Sequence, residues 1–354
     1  MITSRRMKFF ALLVCCVFAT PTAARMGGAN PGYAQRADVR AFAREMAAET
    51  GMSPASIERT LAGARYQPKI IELMNRPLLA PPKWFEYAPQ FLDAQRVAAG
   101  VAFWNANAAT LARAQRQFGV PAEIIVAILG VETYWGRVTG RYRALDALAT
   151  LAFDYPRRAP FFRGELKALL LIAQDQQVPA ASLQGSFAGA MGLPQFMPGS
   201  YRDFAIDFDG DGRADLWRNA ADAIGSVANF LARHDWAAGQ PVLLAASVDT
   251  SARDALMQKL DGGISERRAL DAWRGEGVVA ADVPATLAGD PVGILLLEDS
   301  ADASSLYVAC TNFYVITRYN KSRLYAAAVW QLAGAVKAAR QHDGDADPAP
   351  QPVR

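Results

Sequence analysis

Cysteine is scarce in this chain. Of three cysteines in 354 residues, Cys15 and Cys16 fall in an N-terminal segment that reads as a removable leader, so only Cys310 is left. No internal disulfide can then form, and a lone thiol in an apolar, β-like stretch reads as core. A run long enough to cross a bilayer is also missing. The apolar stretch Phe9–Ala19 has eleven residues, against about 20 needed for a span. Preceded by Arg5, Arg6 and Lys8 and followed by Thr22-Ala23-Ala24, it has the layout of a secretory signal over residues 1–24. An excess of positive charge is lacking too. Removing the leader takes the basic residues from 37 to 34, against 34 acidic, and a neutral chain offers no support for nucleic-acid binding, which relies on clustered Lys and Arg. No small residue precedes either leader cysteine, since Val14 stands before Cys15. A lipid anchor on the outer membrane is therefore less favoured than soluble export to a periplasm.

What is present is a long, ordered, mainly helical chain, 52% hydrophobic, able to bury a large core. A flexible leader is expected over 25–35 and a disordered tail over 341–354. Between them, periodicity and end signals predict helices over Arg36–Glu49, Pro54–Ala64, Phe91–Phe118, Pro121–Trp135, Arg163–Gln176, Ala221–Arg233 and Leu324–Arg340. Ser53 is read as an N-cap with Pro54 in the first turn. Composition changes after about Ala245, and Val292–Leu297 and Phe313–Thr317 read as strands, giving a β-containing insertion over about 245–318. There are no internal repeats. The fold class expected is mainly α, of the α+β type.

Two segments carry the chemistry. In the helix from Pro121, Ile124, Ile125, Ile128, Leu129 and Val131 share one stripe, and Glu132 follows Ile128 by four and Leu129 by three positions, so it is expected to face the stripe. Desolvation there would disfavour the carboxylate and make Glu132 a proton donor near neutral pH. The other reading is a helix-terminal acid in a structural hydrogen bond. Tyr134 and Trp135 offer flat apolar faces of the kind sugar rings stack on. The segment Ser186–Tyr201 mixes small residues with Ser186, Gln195 and exposed-looking aromatics, a composition suited to a cleft. A second carboxylate flanking a glycosidic bond is expected of most glycosidases. Asp154, Glu165, Asp175 and Asp203 are available, but none has surroundings like those of Glu132. Asp154 reads instead as a turn cap or a partner of the neighbouring Arg157 and Arg158.

A further pattern is independent of these. From Asp207, carboxylates stand at loop positions 1, 3, 5 and 9 (Asp207, Asp209, Asp211, Asp215), with Gly212 at 6. This is EF-hand loop spacing, with the Arg213 carbonyl as position 7, and hard oxygen donors fit calcium. Position 12 is Arg218, where a bidentate Glu would normally stand. A single loop in an exported chain points to a brace, not a sensor.

The segments Gly130–Gly136, Ser186–Tyr201, Asp222–Phe230 and Tyr319–Ala326 together resemble the motifs of the lytic murein transglycosylase B family, and the resemblance covers nearly all of residues 36–338. It implies a lysozyme-like core with a flanking helical region, a small β region and an EF-hand-like calcium loop, forming one module over 36–340. It implies cleavage of the β-1,4 bond between N-acetylmuramic acid and N-acetylglucosamine without water. By this resemblance Glu132 matches the sole acid/base, Ser186 and Gln195 the groups holding the muramyl sugar and its N-acetyl group, and Tyr87, Tyr319, Asn320 and Tyr325 further cleft residues. Phe230 stands where relatives carry Tyr. Asp222 matches the acid that closes a longer calcium loop with Asp207, Asp209, Asp211 and Arg213.

The function expected is therefore an exported peptidoglycan lytic transglycosylase, acting on glycan strands with calcium as a structural ion, no organic cofactor, and cell-wall synthesis or remodelling enzymes as possible partners. Two readings stand beside it. A hydrolytic muramidase would need the missing second carboxylate, and a non-catalytic wall-binding scaffold would have no use for Glu132.

Overall fold

The computed structural model describes residues 32–345 except 77–80 and 288. The leader expected over 1–24, with Cys15 and Cys16, lies outside these residues, as does the tail beyond 345. Contacts divide the chain into two compact units, Gly27–Gly239 with Gln331–Arg354, and Gln240–Trp330.

The first unit is helical. Its elements are α1 (Ala37–Thr50), α2 (Pro54–Ala62), α3 (Pro68–Met74), α4 (Trp84–Tyr87), α5 (Ala94–Ala106), α6 (Ala108–Phe118), α7 (Ala122–Thr133), β1 (Tyr142–Arg143), α8 (Ala144–Asp154), α9 (Ala159–Asp175), β2 (Gln184–Gly185), α10 (Pro198–Phe204) and α11 (Ala220–Arg233). Two helices make its centre. Every residue of α8 except Asp154 is buried, and every residue of α7 except Glu123 and Glu132. Such all-round burial follows from near-continuous apolar sequence, because a helix with no polar face must be covered on every side. The single stripe expected of α7 is thus replaced by burial all round, and Glu132 is one of its two partly exposed positions.

Several details differ from expectation in this unit. The helix read over Phe91–Phe118 is two helices that meet at Asn107, whose Nδ2 donates to the Phe103 carbonyl at 2.9 Å while its own carbonyl accepts from Leu111. A side-chain amide that competes with the backbone for hydrogen bonds ends one helix and opens the next. Ser53 occupies the N-cap of α2 but makes no side-chain cap bond. Of the leader expected to be flexible over 25–35, Tyr33–Gln35 form a 3-10 turn in which buried Tyr33 donates to Asp154 at 2.8 Å. Asp154 also pairs with Arg36 at 2.5 Å, and so takes distant partners in place of Arg157 and Arg158.

The second unit holds β3 (Leu243–Val248), α12 (Arg253–Met257), β4 (Arg268–Ala269), α13 (Leu270–Arg274), β5 (Val278–Ala280), β6 (Pro291–Glu298), β7 (Ser304–Ala309) and α14 (Thr311–Tyr319). Its antiparallel sheet has the order β4-β6-β7-β3-β5, with Leu295 opposite Tyr307 and Leu243 opposite Ala309. Trp273, Val292, Ile294, Val308 and Cys310 fill its core, so the lone thiol is indeed core; burial pushes it up to about 12. Phe313–Thr317, read as a strand, belongs instead to α14. Its buried residues Asn312, Phe313, Val315 and Ile316 fall at helical spacing, and packing overrides a β-branched local preference. The last helix, α15 (Arg323–Asp345), begins in this unit and from Gln331 belongs to the first. It continues past Arg340, through residues expected to start the tail. Its later turns seat Val336 at Gly100 and pair Lys337 with Glu123 at 2.7 Å.

In the second unit, the Arg268 guanidinium lies 3.7 Å over the Trp273 ring and grips Glu276 at 2.8 Å, with Lys259 at 2.7 Å on the same carboxyl. Hydrogen bonds from Arg268 first, then Lys259, hold Glu276 at about 2 against an ordinary 4.5. A depressed carboxyl stabilises the fold above its unfolded value, and that contribution fades as pH drops toward the folded one. Glu276→Gln should therefore flatten the pH dependence of urea unfolding between about pH 4.5 and 2. An unchanged slope would mean that this pair contributes nothing.

Candidate active site

The site grows from the C-terminal end of α7. A helix leaves its last carbonyls without helical partners, and here those of Leu129 and Gly130 are met by residues that turn the chain sharply. The Tyr134 N–H donates to Gly130 at 3.0 Å and the Trp135 N–H to Leu129 at 3.2 Å. Both residues sit in the left-handed region, with φ of 53° and 52°, a conformation costing an L-residue roughly 1–2 kcal/mol. Packing holds them there. The Trp135 indole donates to the Val126 carbonyl at 2.9 Å and lies on Gly130 and Gly100, where a Cβ would come within 2.5 and 3.0 Å of the ring. Two guanidinium groups lie over the Tyr134 ring, Arg96 at 4.6 Å and Arg137 at 4.7 Å from its centroid.

This end of α7 carries Glu132, half-buried. Tyr87, at the end of α4, is next to it. Burial raises the Tyr87 hydroxyl well above its ordinary value, and the Glu132 charge pushes it further. The Tyr87 ring in turn meets Phe91 at 5.1 Å.

The turn from β2 onward packs against this end of α7. Buried Thr133 donates to the Leu193 carbonyl at 2.8 Å and accepts from Gly136 at 3.0 Å, tying the end of α7 to this turn. Gln195 has φ of 51°, and its Nε2 donates to Thr139 at 3.0 Å and Gly192 at 2.9 Å. The Ser186 hydroxyl accepts from the Ala190 and Ala188 N–H groups at 3.1 and 3.3 Å and so shapes its own turn. At Gly140 an added Cβ would sit 2.1 Å from the Gly185 carbonyl, so the two backbones meet directly. Glu132, Tyr87, Ser186 and Gln195 thus belong to one continuous assembly. The aromatics Phe196 and Tyr201, expected to be exposed, are buried behind it, at 2% and 6% exposure, where they support the turn and offer no face to a ligand.

The acidic loop adjoins this turn. Asp207, Asp209 and Asp211 place carboxylate oxygens within 4.8 Å of one another, all exposed. Gly210 and Gly212 take φ of 84° and 94°, which only glycine adopts freely. The Asp207 carboxyl feels some desolvation, but the N–H groups of Gly212, Gly210 and Asp211 outweigh it and hold the group below its ordinary value. Three hard-oxygen donors this close fit a calcium ion. Asp222 is buried against the loop: its two oxygens accept from the Phe208 N–H at 2.7 Å and the Asp215 N–H at 2.8 Å, and it feels the charge of Asp209. It closes the loop through the backbone. The far end of the loop then grips the site turn, because Leu193 donates to the Leu216 carbonyl at 2.7 Å and the Trp217 indole to the Gln184 carbonyl at 2.9 Å.

The other expected residues lie in the second unit. Tyr319 ends α14 and stacks on buried Tyr325, with centroids 6.4 Å apart and planes 13° apart. The Asn320 side chain accepts from the Ser322 N–H at 3.2 Å. Among the acids weighed as a second carboxylate, Glu165 accepts from the Gly199 N–H at 2.8 Å at the start of α10, and burial raises it. Two supports escaped sequence reasoning, Thr133 and Arg96. Thr133 carries no local signal. Arg96 does carry one, as the one charged residue in the apolar run from Ala94 to Trp104.

The family model described as transglycosylase SLT domain matches residues 34–334. The membrane-bound lytic murein transglycosylase B of Escherichia coli K12 is 39% identical over 325 residues, 89% of this chain and 86% of that protein. The crystal structure of E. coli lytic transglycosylase Slt35 in complex with calcium is 40% identical with a TM-score of 0.78, covering 87% of this chain and 95% of its own. That of SltB3 from Pseudomonas aeruginosa, in complex with NAG-anhNAM-pentapeptide, is 33% identical with a TM-score of 0.74, covering 84% and 78%.

Replacing Thr133 by Val, which keeps the shape but removes the hydroxyl, leaves the Leu193 carbonyl and the Gly136 N–H unsatisfied. The expected cost is about 1–3 kcal/mol for each group left unpaired, read by urea unfolding, with faster amide exchange at Gly136. Wild-type stability and exchange would show that the two segments are held by other contacts.

Proposed function

This chain belongs to the transglycosylase SLT domain family, and from its site we infer that it is a peptidoglycan lytic transglycosylase working through one carboxyl. The observation that carries this reading is the position of Glu132. It is a half-buried acid at the end of a helix whose other residues, save Glu123, are buried, and it adjoins Tyr87 and the turn that bears Ser186 and Gln195. Two of the acids weighed for activating a water have structural partners. Asp154 is taken by Arg36 and Tyr33, Glu165 by Gly199.

In the first step Glu132 gives its proton to the oxygen that bridges N-acetylmuramic acid and N-acetylglucosamine, and the bond to the muramyl C1 breaks. The substrate's N-acetyl carbonyl stabilises the cationic carbon. Glu132, now a carboxylate, takes the proton of the muramyl C6 hydroxyl, whose oxygen closes onto C1 as a 1,6-anhydro ring. Atoms balance with no water consumed. Ser186 and Gln195 hold the muramyl sugar, and a fixed turn serves this role because attack from within the substrate depends on positioning. Tyr87, beside Glu132, adds a further substrate contact in this reading. Asp207, Asp209, Asp211 and the Arg213 carbonyl would hold calcium, with Asp222 shaping the loop; bound there, the ion supplies rigidity beside the cleft. Export through the 1–24 leader brings the enzyme to the wall, and no helix among the described residues is long and apolar enough to cross a membrane.

Wall digestion in oxygen-18 water should yield 1,6-anhydromuramyl ends free of label by mass spectrometry, and Glu132→Gln should lower turnover by at least ~10²–10⁴-fold with folding intact. Labelled reducing ends would favour the hydrolytic muramidase, and an active Glu132→Gln would remove the acid/base role.

Calcium should raise the melting temperature, since a ligand bound only by the folded state stabilises it, and Asp209→Ala with Asp211→Ala should abolish most of the shift. An equal shift in the double variant would move the ion elsewhere.

A further inference from the structure

Arg96 is a cation in the wrong place for a surface residue. It is 3% exposed, and its Nε has no hydrogen-bond partner. Its partner acid, Asp93, is mostly in solvent and 3.9 Å away. Burial lowers its pKa, the direction expected when a charge loses water. An apolar side chain of the same length would fill this space at less electrostatic cost. What the guanidinium does there is specific. Nη1 donates to the Gly130 carbonyl at 2.6 Å, a bond to an α7 carbonyl that also receives Tyr134. Its flat face lies 4.6 Å from the Tyr134 ring and 5.5 Å from the Phe91 ring. Gly130 is two residues before Glu132, Tyr134 is two after it, and Phe91 packs on Tyr87, which feels the Glu132 charge.

We propose that Arg96 is a positioning residue for the reaction, fixing Glu132 from behind by clamping the backbone on both sides of it and the aromatic pair that faces it. This rests on the reading of Glu132 as acid/base. A cation favours the C-terminal end of a helix, and the planar fork lets one group hold a carbonyl and stack on two rings, which an ammonium cannot do.

The test uses Arg96→Met and Arg96→Lys in the mature chain, with Glu132→Gln in parallel, on soluble glycan fragments. Arg96→Met is expected to keep KM within about twofold while kcat falls by about 10- to 100-fold, the scale of loss when a reacting group is misplaced. Arg96→Lys, which keeps charge but not the planar fork, is expected to recover only part of kcat. Wild-type kcat in either folded variant overturns the proposal. So does a loss of activity that matches only the loss of folded protein, with kcat per folded molecule unchanged. If Arg96→Met does not fold, Arg96→Lys alone decides. An active Glu132→Gln would instead overturn the acid/base reading beneath it.

Discussion

The site depends on how α7 ends. A helix this apolar must be buried all round, yet its terminal carbonyls need donors that a purely apolar shell cannot supply. Four groups meet the need at Leu129 and Gly130: the N–H groups of Tyr134 and Trp135, the Thr133 hydroxyl and the Arg96 guanidinium. Satisfying those carbonyls forces two consecutive L-residues into the left-handed region. The surrounding packing, indole on glycine and guanidiniums on the phenol, opposes the strain. The same turn halts the helix one residue after Glu132, leaving that carboxyl at the edge of the core and partly open to solvent.

From that point the carboxylates of the helical unit sort by partner. Those bonded to backbone N–H groups or to arginine are architectural: Asp154 joins the start of the described chain to the end of α8, Glu165 anchors the start of α10, and Asp222 braces the acidic loop. A one-carboxyl mechanism suits this distribution, since it asks the protein for a single proton carrier and for accurate placement of the substrate.

The acidic loop and the turn that bears Ser186 and Gln195 share contacts at Leu216 and Trp217. Rigidity at the loop is therefore communicated to the turn by hydrogen bonds of ordinary length, with no moving part required. Gly192 makes this close approach possible, because a Cβ there would lie 2.4 Å from the Leu216 carbonyl.

Much of this was legible in sequence. The mainly helical class and the aspartate spacing follow from local rules, apolar periodicity, Gly and Pro punctuation and the ligand geometry of a hard cation, and the expectation of a site at Glu132 and Ser186–Gln195 rests on the same kind of signal. The break at Asn107 and the helical state of Phe313–Thr317 were not legible, because a capping amide looks like any polar residue in a helix and burial outweighs β-propensity. The roles of Arg96 and Thr133, and the backbone groups that Asp222 meets in closing its loop, were decided only in three dimensions. Each acts on backbone groups far along the chain, 34 residues away for Arg96, 60 for Thr133 and 14 for Asp222. Residue type can announce that a side chain carries charge or a hydroxyl. Which orphaned carbonyl or N–H it will meet is set by the packing of helices that local sequence does not encode.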